Sequence, residues 1–435
     1  MADSPSNALP SSRWNVLLEA NPGGNDYMTT GQYAEYQNFP GLGQNFYVPN
    51  SPSGLPATAA LYRLSNGPDH MASLQAGEAG YTTEGVLGYP LISGSALPGL
   101  TAIHRFLKAS DHATGAAGTG IAGYTDEGSL GAFGYMRYRT NPTALQAVSG
   151  GGLNVQSDLI AGGAVASWRW NNIEFINTAD YGRYLQADIF FNDAGGVEGA
   201  APTFNPIEAG DVFTSGSDPL LYRHGAPCVL ANVSGGVQQT RAVPLDFLLP
   251  QTPLDKDINS VRLYHGSQIG KDLTLGWNGL SQVAQYRTVF ALAAPITAFD
   301  VEVPTAYLNS QFNRFWTFDV ANNVFAEVTS GLNWCNGEEY QWFPASGRGG
   351  VIISTSDGAA AMGAYAVTSH ANTGSRITRF TLTHFPTCGD CSKWAVRGSM
   401  VPLAQGENSF SAYIATGTLD QAKSLMQALY SAGAS

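Results

Sequence analysis

The sequence predicts an all-β protein in two parts: an N-terminal three-unit repeat module, β-trefoil-like in plan, and a large antiparallel β-sandwich closed by one C-terminal helix. Three observations carry this expectation. LYRLSNGPDHMASLQAGEAGYTTEGVLGYP, from Leu61, is restated by IHRFLKASDHATGAAGTGIAGYTDEGSLGAFGY, from Ile103. The remainder is a succession of short β-type runs between turn residues. The composition suits both parts: 51 Gly, 20 Tyr and 20 Phe, with charged residues at only 12%, about half the usual share.

In the repeats Arg63 matches Arg105, Asp69-His70 matches Asp111-His112, and Tyr81, Glu84, Gly85 and Gly88 match Tyr124, Glu127, Gly128 and Gly131. The spacing is 42 residues for the arginines and 43 for the tyrosines. A fainter copy lies upstream, where Asp26-Tyr27-Met28 precedes Asp69-His70-Met71 by 43 residues. A unit this small cannot bury a core alone, so three copies imply one module built around a pseudo-threefold axis, over residues 1–140. The Gly-rich stretch 141–157, with Gly150, Gly151 and Gly152, reads as a linker.

From residue 158 the texture is that of a sandwich. WRWNNIEFIN, KDLTLGWNG, FDVEVPTAYL, GGVIISTS, RITRFTLTHF and FSAYIATG are among more than ten strand-like runs. Some alternate in polarity; others are continuously apolar and require burial on both faces. The chain closes on a helix. Thr418 and Gln421 form a capping box, Ala422, Leu425, Met426 and Leu429 give an apolar stripe, and the helix is expected to pack on the sandwich edge.

Charge and motifs exclude several function classes. The net charge is −12 with no Lys/Arg cluster, which argues against nucleic acid, whose phosphates need concentrated positive charge. No run of 18 apolar residues is present, so no membrane insertion is expected. The opening MADSPSNALPSSRW lacks a basic start and an apolar stretch and reads as the beginning of a mature secreted chain. No cofactor fingerprint is found: there is no Walker loop, dinucleotide-binding glycine motif, HExxH or GxSxG. Of four cysteines, Cys388 and Cys391 form CGDC, while Cys228 and Cys335 stand apart. Disulfides are the expectation; a zinc site needs four ligands and CGDC supplies two, so no metal is expected.

The repeats resemble a domain of unassigned function in secreted bacterial proteins, where it accompanies hydrolases. The resemblance rests on Tyr62-Arg63, Asp69-His70, Gly80-Tyr81, Glu84-Gly85 and Gly88-Tyr89, and on His104-Arg105, Asp111-His112, Gly123-Tyr124, Glu127-Gly128 and Gly131. Met71-Ala72-Ser73 and Ala113-Thr114 stand where that pattern has aromatic and Thr residues. The second part is similar in texture to the supersandwich domains of carbohydrate-active enzymes. Together these resemblances imply a secreted polysaccharide-active protein with a carbohydrate-binding module before a catalytic sandwich.

Glycoside hydrolysis needs two carboxyls across the scissile bond, one of them protonated. The densest polar stretch of the sandwich, residues 171–193, offers Glu174, Asp180, Tyr181, Arg183 and Gln186, and beyond it lie Glu208 and His224. Asp180 and Glu208 are the first pair, Glu174 the substitute and His224 a possible base. Tyr181, Arg183 and Gln186 are candidate substrate contacts. An Asp180 that caps a turn and a Glu208 that binds backbone amides are equally open readings. A polysaccharide lyase would instead use a His or Tyr base with an Arg facing a uronate carboxylate, for which His224, Arg262 and Tyr264 supply the types. Trp334 and Trp342, framing Glu338, are candidate sugar platforms, or simply packing residues. Asp69, His70, Asp111 and His112 are either repeated ligand pockets or repeated structural turns. A non-enzymatic adhesin or assembly subunit is the third functional class. The expected partner throughout is a polysaccharide or oligosaccharide; oligomeric state is not encoded in any pattern seen.

Overall fold

The computed structural model describes residues 14–23, 26–30, 45–49, 58–78, 80–90, 92, 100–116, 121, 123–136, 145–178, 184–190, 205–211, 224–226, 228–242, 244–246, 267–292, 295–369, 376–387 and 390–435. The fold is all-β, dominated by large antiparallel sheets. Leu419–Ser431 is the one α-helix among the described residues.

Each repeat is a unit of three strands in which the first lies between the second and third. The units are Trp14–Gly23, Asp26–Thr30 and Asn45–Pro49; Leu61–Asn66, Asp69–Ser73 and Thr82–Gly88; and Leu100–Lys108, Asp111–Ala116 and Thr125–Met136. The three second strands pack on one another, as a pseudo-threefold axis requires. Thr29 and Thr114 share a 2.7 Å hydrogen bond across it. Leu17 and Val48, Leu61, Ala72 and Leu87, and Ile103 and Leu130 form one shared core. No unit has a core of its own, which is why the repeat appears in multiples. The described strands number three per unit, against the four that a β-trefoil uses.

The sandwich has two sheets. In spatial order the first runs Leu145–Gly150, Leu153–Asp158, Ala164–Trp170, Leu185–Phe190, Ile296–Asn309, Cys391–Leu403, Arg379–Phe385 and Glu339–Trp342, with short strands attached. The second runs Cys228–Ser234, Val237–Ala242, Gln268–Leu275, Val283–Leu292, Gly406–Gly417, Ala361–Val367, Arg348–Thr355, Phe312–Asp319 and Val324–Glu327. Between them lies the main core, with Trp168, Phe175, Tyr286, Phe290, Leu382 and Trp394 among its members.

Two expectations need correction. The stretch 141–157 is not a linker throughout: from Leu145 it is an antiparallel hairpin whose turn, Gly151-Gly152 with φ of 61° and 81°, is the left-handed conformation glycine supplies cheaply. Its strands belong to the first sheet. The helix, which begins in the expected capping box, does not sit at the sandwich edge. It covers the outer face of the second sheet over three interior strands, with Ala422, Met426 and Leu429 packed against Phe318, Ile352, Tyr365 and Tyr413. Glycines clear its path: a Cβ on Gly363 would lie 2.7 Å from the Met426 methyl.

Candidate functional site

Strands of the first sheet alternate between the core and the opposite face, with bulges that interrupt the alternation in places. Leu185, Ala187, Ile189, Val301, Val303, Phe380, Leu382, Trp394 and Val396 enter the core. The residues between them, including Asp188, Asp300, Glu302, Arg379, Thr381, Lys393 and Arg397, share the other face by the period of two. Register then aligns them across four adjacent strands: Asp188 opposes Glu302, Glu302 opposes Arg397, and Arg397 opposes Arg379. Glu339, on the next strand, opposes Thr383.

The charges form one network. Glu302 Oε1 accepts from Lys393 Nζ at 2.8 Å and from Arg397 Nε at 2.9 Å, with Arg397 Nη2 also bonded. Asp300 Oδ2 accepts from Arg379 Nη2 at 2.7 Å and lies 3.5 Å from Arg397 Nη1, which is 3.6 Å from Glu339. The Glu302 backbone N–H donates to Asp188 Oδ1 at 3.2 Å. Asp188 is 6% exposed and Glu302 1%. Glu302 Oε2, Arg379 Nε and Thr381 Oγ1 are buried without a hydrogen-bond partner.

Burial and charge split the carboxyls. Burial pushes Asp188 well above the usual carboxylate range, and the neighbouring Glu302 charge adds to this. Burial likewise moves Asp300 up to about 6 despite its arginines. Burial also acts on Glu302, but Lys393 and Arg397 more than offset it and hold the group at about 2. One face thus presents an Asp188 whose burial favours its neutral form beside a Glu302 whose cations favour its ionised form. Two carboxyls with opposed protonation states are what acid–base chemistry assembles.

The candidates drawn from the sequence mostly lie elsewhere. Glu208 is completely buried between the sheets, where it pairs with Lys271 Nζ at 3.1 Å and accepts from the Ala187 N–H and Tyr286 hydroxyl at 3.2 and 3.3 Å. Glu174 is a local clamp: it accepts from Ser167, from the backbone N–H groups of Trp168 and Ile176, and from Arg169. Gln186 accepts from the Ala209 N–H at 2.9 Å, two residues from Asp188 on the same face. Trp334 is exposed, on a 3-10 turn. Trp342 lies against Phe380, half-buried, and Glu338 between them is exposed. His224 pairs with Asp211 in a two-residue bridge. Asp180, Tyr181, Arg183, Arg262 and Tyr264 lie outside the described residues. Cys335 is disulfide-bonded, Cys228 is free and buried, and Cys391 is buried; Cys388 lies outside the described residues.

In the module, structure does bring the predicted residues together. Tyr81 and Tyr124 donate their hydroxyls to Asp69 and Asp111. Arg63 bonds Glu84 at 2.5 Å and Arg105 bonds Glu127 at 2.7 Å. His112 stands between Asp69 of the preceding unit, at 3.4 Å, and Glu127, at 3.6 Å.

The sequence matches no family model and no curated protein. Solved structures with a similar course of chain include a galactose mutarotase related enzyme from Lactobacillus acidophilus, 9% identical over 64% of this chain and 99% of that one, at a TM-score of 0.41. A galactose mutarotase-like protein from Clostridium acetobutylicum is 11% identical over 62% and 93%, at 0.35. A GH36 alpha-galactosidase from Geobacillus stearothermophilus is 9% identical over 63% of this chain and 40% of its own, at 0.34.

Proposed function

We propose that the protein is a secreted carbohydrate-active enzyme that hydrolyses glycosidic bonds at the polar face of the first sheet. The observation that carries this is the Asp188–Glu302 pair. Asp188 keeps a proton to give to a leaving oxygen. Glu302 stays ionised, with Oε1 bonded to Lys393 and Arg397 and a buried Oε2 that carries no hydrogen bond, the oxygen left to face a developing oxocarbenium centre.

The charge balance favours a neutral glycan over a uronate. Among the described residues Asp300, Glu302 and Glu339 are matched by Arg379, Lys393 and Arg397, leaving no surplus cation to neutralise a substrate carboxylate as a lyase must. The burial of both carboxyls favours a second reading, in which the network only pins four strands and the protein binds glycan without turning it over.

The test is digestion of a panel of neutral and uronate polysaccharides, followed by a reducing-end assay and by absorbance of unsaturated products. Hydrolysis gives new reducing ends without absorbance, and Asp188→Asn should slow it by about 10²–10⁴-fold, with Glu302→Gln at least as severe. Absorbance with reducing ends makes the protein a lyase. Binding without products supports the second reading.

A further inference from the structure

The polar face of the first sheet runs on, row by row, into a line of aromatic rings. Tyr307 opposes Lys393 on the neighbouring strand, and Lys393 in turn opposes Thr383. Phe385, two residues beyond Thr383, stands on the same face. Lys393 joins the two parts: its Nζ, 2.8 Å from Glu302 Oε1, lies 5.1 Å from the centre of the Tyr307 ring. The Tyr307 and Phe385 rings are 6.2 Å apart between centres, and Phe385 and Trp334 6.1 Å. Burial falls along this line. Lys393 is buried, Tyr307 and Phe385 are half-buried, and Trp334 is 46% exposed.

The turn that carries Trp334 is held on both sides of it. Leu332 enters the main core and Cys335 is disulfide-bonded. The Asn333 side chain accepts from the Cys335 N–H at 3.1 Å, and the Gly337 N–H donates to the Trp334 carbonyl at 2.7 Å. A ring presented on a fixed turn costs little further ordering when a ligand binds. A lone exposed apolar side chain needs no explanation, but this one continues a row of rings that leads back to Glu302.

The negative face of an aromatic ring suits the polarised C–H groups of a sugar ring. The charge beside it selects among glycans. Glu338 lies on the same turn, its N–H bonded to the Asn333 carbonyl at 3.1 Å, and is exposed; Glu339 follows it half-buried. Two carboxylates here repel a polyuronate and offer acceptors to the hydroxyls of a neutral chain.

We propose that Trp334, with Phe385 and Tyr307 behind it, is a distal sugar platform that holds an extended neutral glycan whose nearer end reaches Glu302. Lys393, Tyr307 and Phe385 stand between Trp334 and Glu302, so only a chain of several sugars engages both ends. This deepens the reading of the face as a hydrolytic site and rests on it.

The experiment is calorimetric titration of the full chain carrying Asp188→Asn, which slows turnover and replaces a carboxyl whose burial already favours its neutral form. The probes are gluco-, xylo-, manno- and galacto-oligosaccharides, each as disaccharide and hexasaccharide. A hexasaccharide of the fitting sugar should bind at least about 10-fold tighter than its disaccharide, and Trp334→Ala should remove that gain. Trp334→Phe should keep part of it. A loss that falls on the longer probe and spares the shorter is not what a merely loosened fold produces. Equal affinity for both lengths, undiminished hexasaccharide binding in Trp334→Ala, or silence toward every probe overturns the proposal. The chain with Asp188 intact, given the same hexasaccharides in the reducing-end assay, separates the two readings. Trp334-dependent binding without products sinks hydrolysis and leaves the platform. Products formed by Trp334→Ala at an unchanged KM sink the platform and leave hydrolysis.

Discussion

Glu208 and Lys271 are both sealed from water at 0% exposure. Each ion would cost several kcal/mol to bury alone, so each depends on the other. Glu208→Gln should therefore destabilise the protein by about 3–5 kcal/mol in denaturant melts, and adding Lys271→Met should recover much of that loss. A carboxylate with this role cannot be told from a catalytic one by its letter in the sequence. The polar face, by contrast, was legible in principle. FDVEV and RFTLT each place charged or hydroxyl residues at every second position between apolar ones, and SKWAVRG puts Lys393 and Arg397 on the same alternation with Ala395 between them, the mark of a strand with one face reserved for polar work. The face is assembled from residues 188 to 397, so no local stretch is dense in carboxyls. Asp300 allows a direct check of the electrostatics. The folded protein holds it protonated up to about 6, while an unfolded chain releases that proton near 4. Stability should thus fall as pH rises from about 4 through 6, and Asp300→Asn should flatten that part of a melting-temperature profile.

At the scale of elements, the C-terminal helix shows what periodicity can and cannot convey. Thr418, Gln421 and the apolar stripe identified its start and its buried side correctly. They could not identify its partner, because an amphipathic stripe fits a sheet face as well as a sheet edge. The missing information lay about 60 to 75 residues upstream, in Gly350 and Gly363, where the absence of side chains opens a groove for Met426. Met426→Ala should cost about 2–5 kcal/mol in chemical denaturation, since the flanking strands are fixed by hydrogen bonds on both sides and cannot collapse into the void. The Gly150–Gly152 run misled in the opposite sense. A hairpin turn and a flexible linker ask for the same residue, and only the pairing of Leu145–Gly150 with Leu153–Asp158 distinguishes them.

For the whole molecule, the internal repeat was the part most fully written in the sequence, since self-similarity reports symmetry without any need to know contacts. The sandwich was legible as a class but not as a topology. Its strands pair across separations that no pattern records: Leu185–Phe190 with Ile296–Asn309, and Val283–Leu292 with Gly406–Gly417. That last strand is the fifth of nine in its sheet, so its loss would split the sheet into two halves with raw edges. Truncation before Gly406 should abolish cooperative unfolding of the sandwich in calorimetry. The same placement bears on how the protein is made. The strand Gly406–Gly417 leaves the ribosome after every other strand of the second sheet, so the two β-rich halves must wait for it, unpaired. Such a chain stays open to chaperones until that strand is read, and a stop just ahead of Gly406 yields a product as helpless as an early one.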